Sequence, residues 1–284
     1  MKPAPFQYHA PKTIDEAVTL LAAVAPADGR VLAGGQSLVP TMAFRLARPA
    51  HLVDINGIPE LGRITSAGGK VSIGACVRHA AFYRPAVEGP LGRLLAQVVR
   101  HIAHHPIRTR GTFCGSLAHA DPASEWCLLA VTLGAEMVAQ STRGRRVIAA
   151  QDFFAGIMTT ALAEDELLVE ARLPPLPGDT RCGFYEFSRR AGDFAIAMAL
   201  VTYRLVDGRM IEPRIGVGGA EPRPRRMDEA ERMLEGQEPR PQVFAAAAAA
   251  AAAAVDAMED SSYSADYRRD LVRTVTYRAL EGAA

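Results

Sequence analysis

A chain of 284 residues, 49% apolar and 22% charged, has an ordinary globular composition and the length for two domains, or for one large domain with an appendage. Thirty-two basic residues against 31 acidic ones leave a net charge of +1. That balance favours neither nucleic acid nor an anionic membrane surface.

The four cysteines, Cys76, Cys114, Cys127 and Cys182, are scattered, without a C-x-x-C pair or a cluster suited to zinc or iron–sulfur. Free thiols in a reducing cytoplasm fit better than disulfides, because Met1-Lys2-Pro3-Ala4-Pro5 lacks the apolar core of a signal peptide.

In chain order, Thr13-Ile14-Asp15-Glu16 is a capping box, and Ala17, Leu20, Leu21 and Val24 recur behind it at helical spacing. Strand Arg30–Ala33 runs into a double glycine, followed by a helix over Met42–Leu46 and a strand over His51–Ile55. Residues 1 to about 57 therefore read as a small β-α-β unit. A hairpin around Ile64 and Val71–Ala75 precedes a helix over Arg78–Phe82. The apolar spacing of Leu91, Leu94, Leu95, Val98, Val99 and Ile102 predicts an amphipathic helix over Leu91–His104. A buried helix over Glu125–Leu133 follows, then strands Glu136–Gln140 and Arg146–Ala149 about a Thr142-Arg143-Gly144 turn, then strand Asp165–Arg172.

The run Pro174-Pro175-Leu176-Pro177-Gly178-Asp179 is the best candidate boundary. Beyond it come strand Gly183–Ser188, a helix or strand around Phe194–Tyr203, a hairpin at Asp207-Gly208 and strand Met210–Val217. Glu221–Arg226 reads as a polar, solvated loop. Helices over Met227–Leu234, Gln242–Met258 and Ser264–Leu280 finish the chain. The second of these contains ten consecutive alanines, too short and too weakly apolar to span a bilayer but strongly helix-forming. The class is α+β.

Two segments carry candidate chemistry. Val31-Leu32-Ala33-Gly34-Gly35-Gln36-Ser37-Leu38 delivers two glycines from a strand, so backbone N–H groups can approach an anion with no Cβ in the way. It is not G-x-G-x-x-G, and a plain turn is the alternative. Thr112-Phe113-Cys114-Gly115-Ser116 lies in a stretch of small and polar residues. Its hydroxyls suit a phosphate and Glu125 suits a ribityl hydroxyl, but an ordinary interhelical loop is an equal reading. His101, His104 and His105 have i, i+3, i+4 spacing without a third ligand nearby, and Pro106 ends the helix; a surface cluster is the simpler reading than a metal site. His119 and Asp121 suit a structural or cofactor-shell role.

Together with Gly183-Phe184-Tyr185-Glu186-Phe187-Ser188-Arg189-Arg190-Ala191-Gly192-Asp193-Phe194-Ala195, these segments resemble the medium subunit of the molybdenum hydroxylases, the xanthine dehydrogenase and aerobic carbon monoxide dehydrogenase flavoprotein family. The resemblance runs from Pro5 to the last helix. It implies a vanillyl-alcohol-oxidase-like, PCMH-type FAD fold over residues 1–175, with subdomains of about 1–57 and 58–175, and a CO dehydrogenase flavoprotein-type α+β domain over 179–284. It implies non-covalent FAD held by Val31 to Leu38 and Thr112 to Ser116, with Glu125 at the ribityl chain and Ile102, Leu168 and Tyr185 near the dinucleotide or the flavin ring. The chemistry would be the flavin's, with no protein catalytic residue. The molybdenum cofactor would reside on a large partner subunit and 2Fe–2S clusters on a small one. Electrons would pass from those clusters through this chain's FAD to an external acceptor. A cytoplasmic dimer of heterotrimers is the implied assembly.

One residue departs from the family pattern, since Cys114 stands where the second loop usually has glycine. A left-handed backbone there would cost roughly 1–2 kcal/mol with a side chain, whereas a mere need for smallness would cost little. Two rival readings are a self-contained flavin oxidase or reductase of the same fold, for which no catalytic base stands out, and a partner subunit whose FAD site has decayed.

Overall fold

The computed structural model describes residues 2–284 and is built from three main sheets. The first contains β1 (Gln7–His9), β2 (Gly29–Leu32) and β3 (His51–Asp54), all parallel, with β3 in the centre. Helix α1 (Ile14–Val24) links β1 to β2. Its start is fixed as the sequence predicts: Glu16 N–H donates to Thr13 Oγ1, and the Glu16 carboxylate turns back to accept from Lys12 N–H. Its buried stripe is Ala17, Val18, Leu21 and Val24. Helix α2 runs Leu38–Ala43, four residues earlier than the Met42 start expected, because the double-glycine turn leads straight into it.

The second sheet is antiparallel in the order β4 (Ile64–Ala67), β5 (Lys70–Gly74), β10 (Leu167–Leu173), β6 (Glu136–Ser141), β7 (Gly144–Ala149). Between β7 and β10 lie α7 (Ala150–Phe153) and a small ladder of β8 (Phe154–Gly156) and β9 (Thr159–Thr160). The turn between β6 and β7 falls at the predicted Arg143-Gly144 corner, with Gly144 at φ +117°.

The amphipathic helix predicted over Leu91–His104 divides. Helix α3 spans Gly89–Val98, and a separate short helix α4 spans His105–Arg108. Pro106 therefore opens α4 instead of ending a helix, a position where its missing N–H has no intrahelical partner to lose. Arg108 Nη1 bridges the carbonyls of Ile102 and Ala103 in the link between them. The second glycine-bearing segment, expected as a loop, begins helix α5 (Phe113–His119), capped by Thr112, and α6 (Glu125–Leu133) follows.

The third sheet is antiparallel: β11 (Thr180–Phe187), β12 (Ala197–Val206), β13 (Arg209–Gly218), β14 (Arg225–Arg226). The segment that reads equally as helix or strand is thus the central strand β12, wholly buried from Ala197 to Tyr203. Asp207-Gly208 turns the β12–β13 hairpin with both residues left-handed. Helix α6 packs on one face of this sheet; Thr132 sits so close to Gly216 that a Cβ there would lie 1.9 Å from its Oγ1. Three helices pack about it: α8 (Asp228–Leu234), α9 (Pro241–Ala254) and α10 (Ala265–Ala283).

Glu221–Arg226 is not the solvated loop its polarity suggests. Arg225 forms a bidentate pair with the buried Glu221 and reaches the Ala254 carbonyl, while Arg226 pairs with Glu231. Each arginine closes a helix or strand end, which sequence polarity does not reveal. Two hydrophobic cores result, one centred on Trp126, Phe82 and Leu95, the other on Tyr203, Val272 and Leu280.

Candidate functional site

The two glycine-bearing segments come from different sheets and meet. Segment Val77–His79 pairs antiparallel with Gly111–Phe113: His79 N–H donates to Gly111 O at 3.0 Å, and Phe113 N–H to Val77 O at 2.9 Å. Gly34 lies directly against this second segment. A Cβ on Gly34 would stand 2.5 Å from Arg110 O and 2.6 Å from Gly111 Cα, so no side chain is tolerated. Gly35 takes φ +72°, the left-handed conformation that turns the chain into α2. Gln36 stiffens the turn by donating from its carboxamide to Gly34 O at 3.0 Å.

A strut of side chains ties the segments together. Asn56 Nδ2 donates to Ala33 O at 2.8 Å, Arg78 Nη2 donates to Asn56 Oδ1 at 2.5 Å, and Arg78 Nη1 donates to Arg110 O. Asn56 Nδ2 and both Arg78 Nη atoms thus have protein acceptors, so the spacing of the loops is set before any ligand arrives.

Between the segments runs a cleft of about 560 Å³, lined by all of Val31 to Leu38 and by His79, Gly111, Thr112, Gly115, Ser116 and Met158. An adjoining lobe of about 340 Å³ shares Val31, Ala33, Gly115 and Met158 with it and adds Cys114, Leu162 and Leu168. Among the described residues, the amides of Gly34, Gly35, Gln36 and Ser37 donate to no protein acceptor. The Ser37 and Ser116 hydroxyls are likewise without a protein partner, whereas Thr112 Oγ1 accepts from Gly115 N–H at 3.0 Å as the cap of α5. Four unpaired amides beside a glycine that must be bare form a cradle for an anionic group, and a dinucleotide's pyrophosphate fits that donor set.

Of the remaining sequence candidates, Phe113, Ile102, Glu125 and Tyr185 lie outside this cleft, and Cys114 borders only its adjoining lobe. Phe113 is fully buried between Phe82 and Trp126, ring centroids 5.7 and 4.8 Å away, and supports the floor from behind. Ile102 is buried between α3 and α4. Tyr185 is exposed on β11. Glu125, deeply packed at the start of α6 with part of its surface accessible, lies near Glu186 of β11; burial foremost, and then the neighbouring carboxylate, raises its pKa, while burial raises that of Glu186. Cys114 has an ordinary helical backbone and points inward, its thiol 3.4 Å from Ile73 O, with its pKa pushed far up by burial. The left-handed geometry that would have penalised a side chain there is absent. His101, His104 and His105 diverge: His101 meets Phe184 edge-on, His104 packs under Gly192, and His105 stacks on Tyr83.

Sequence reasoning missed His79, Asn56 and Arg78. The available signal was the polar pair Arg78-His79 opening an otherwise apolar turn, but its partners are 22 and 32 residues away from Arg78 and are brought close only by the fold.

A family model described as the FAD binding domain in molybdopterin dehydrogenase matches residues 4–176, and one described as the CO dehydrogenase flavoprotein C-terminal domain matches residues 183–283. The nicotine 6-hydroxylase medium subunit of Paenarthrobacter nicotinovorans is 40% identical over 281 residues, 99% of this chain and 98% of the relative. The carbon monoxide dehydrogenase medium chain of Hydrogenophaga pseudoflava is 37% identical over 284 residues, 100% and 98% of the two chains. The solved carbon monoxide dehydrogenase from that organism superposes with a TM-score of 0.95 at 38% identity, covering 100% of this chain and 98% of the other. Quinoline 2-oxidoreductase from Pseudomonas putida 86 gives 0.93 at 36% identity, covering 100% and 98%. The chain belongs to the FAD-binding medium subunits of the molybdenum hydroxylases.

Proposed function

We propose that this chain works as the electron-transferring subunit of a cytoplasmic molybdenum hydroxylase, taking electrons from 2Fe–2S clusters on a small partner and passing them to an external acceptor. The molybdenum cofactor then belongs to a large partner, and the assembly is a dimer of heterotrimers. FAD, when bound, supplies the redox chemistry by exchanging single electrons on one side and electron pairs on the other.

The observation that carries the reading is the cradle of unpaired Gly34–Ser37 amides against the second segment. These amides, with the Ser37 and Ser116 hydroxyls, would hold the pyrophosphate. The lobe lined by Leu162, Leu168 and Cys114 suits the apolar faces of the adenine. Glu125, Ile102 and Tyr185, which lie outside the cleft, are assigned to the ribityl and ring end on the family resemblance. We assign the FAD-binding unit to residues 1–175, with its two subdomains of about 1–57 and 58–175, and the C-terminal unit to 179–284. Among the described residues no helix is long and apolar enough to cross a membrane.

The purified chain should show an oxidised-flavin spectrum whose chromophore is released by acid, as non-covalent binding requires. A colourless, folded chain that takes up no added FAD would overturn the reading.

A further inference from the structure

His79 is 4% exposed, yet it lines the cleft. Its ring is held from the opposite side. Trp126 Nε1 lies 2.9 Å from His79 Nδ1, and an indole nitrogen can only donate. Nδ1 is therefore the acceptor, and in the neutral ring the proton must be on Nε2. Nε2 has no protein acceptor among the described residues. It lies against Gly111, where a Cβ would come within 2.6 Å of it, so the bare glycine lets the ring edge lie flush with the cleft floor.

Charging the ring is disfavoured. Burial first, then the nearby Arg78 and Arg108 guanidinium groups, push its pKa down to about 4. The ring N–H without a protein acceptor is open to the cleft, and an anionic oxygen placed beside Nε2 would accept from it.

We propose that His79 is a neutral, tautomer-fixed donor whose Nε2–H binds a phosphate oxygen of the dinucleotide at the floor of the cleft, with Trp126 setting the tautomer. The proposal rests on the FAD reading and adds to it a residue outside both glycine segments. Because the ring stays neutral, its donor strength is constant across the pH range in which a free imidazole would titrate. The four unpaired amides cradle the anion from one wall, and His79 meets it from the other.

The test uses the full chain stripped of flavin and titrated with FAD, following flavin fluorescence. His79→Phe should raise the dissociation constant at least tenfold. His79→Gln, which keeps a donor, should stay within a few-fold of wild type. Trp126→Phe should weaken binding less than His79→Phe does. In parallel, imidazole nitrogen resonances of the FAD-loaded, 15N-labelled chain should show His79 as the Nε2–H tautomer, unchanged from pH 5.5 to 8. An Nδ1–H ring, an imidazolium, or a His79→Phe chain binding FAD as tightly as wild type would overturn this assignment alone. A wild-type chain that binds no FAD would overturn the cofactor reading as well. Should His79→Phe fail to fold, His79→Gln and the nitrogen resonances still decide.

Discussion

At the residue scale, Cys114 and Gly34 reverse the weight a sequence pattern gives them. Cys114 replaces a family glycine but has helical geometry and a buried thiol. Cys114→Gly should therefore lower stability by about 1–2 kcal/mol, through helix propensity and a small cavity, and weaken FAD binding less than Gly34→Ala does, since its thiol faces Ile73 O. Equilibrium unfolding in urea and a flavin titration check both halves. Gly34→Ala should do the opposite, because its Cβ meets backbone at 2.5 Å. Moving the loops apart should weaken FAD binding by at least about tenfold, or about 1.4 kcal/mol.

His79 also predicts a pH dependence. Its pKa falls from 6.5 to about 4 on folding. Between those values the unfolded chain binds a proton that the folded chain does not, so stability drops as pH falls through that window. The full effect is about 3 kcal/mol. His79→Gln should flatten the wild-type slope between pH 6.5 and 4 in urea midpoints. The Glu125–Glu186 pair acts with the opposite sign. With both pKa values raised, the folded chain holds extra protons above the ordinary glutamate range, and stability is lost as pH rises there.

At the scale of elements, what the sequence revealed and what it hid have separate physical causes. Helix α1 was legible because its capping box and apolar stripe are local. The alanine run was legible as a helix from propensity alone, but not its packing. In α9 the buried side is Ala247, Ala248, Ala251 and Ala252, against α8 and α10. Ala251→Leu should cost about 1–3 kcal/mol by overpacking, whereas the exposed Ala249→Leu should be near neutral; thermal unfolding of both variants separates the two faces. Helix α5 was misread as a loop because its sequence is small and polar, and Thr112 declares itself a cap only through Gly115 N–H. The break between α3 and α4 was hidden because the apolar period continues through Ile102 while the backbone does not. The Val31–Leu38 cradle was legible as a motif. Its opposite wall was only half legible, because Asn56, Arg78 and His79 arrive from elsewhere in the chain.

For the molecule as a whole, Arg268 is a buried polar tie between distant segments. Buried in α10, it donates to Ile196 O and Gly219 O at 3.1 and 2.9 Å and pairs with Asp260 at 2.6 Å. Gly219 in turn donates to Pro122 O at 2.9 Å, just ahead of α6. Arg268→Met would strand two carbonyls and should destabilise the chain by about 2–4 kcal/mol. Hydrogen exchange should then rise in β12 and β13 and in the Pro122 turn together. The same tie joins the C-terminal sheet to the helix that carries Trp126, and so reaches the cleft floor.

The Asn56–Arg78 strut has a consequence for how the protein ages and is made. It is a polar clasp between the three-stranded sheet and the rest of the cleft, and any ligand lying across the same gap acts as a second clasp in parallel. Flavin occupancy and resistance to proteolysis should then rise and fall together, with protection growing as the logarithm of free FAD. A cell short of flavin would leave this subunit more open to proteolysis at the loops that face the cleft.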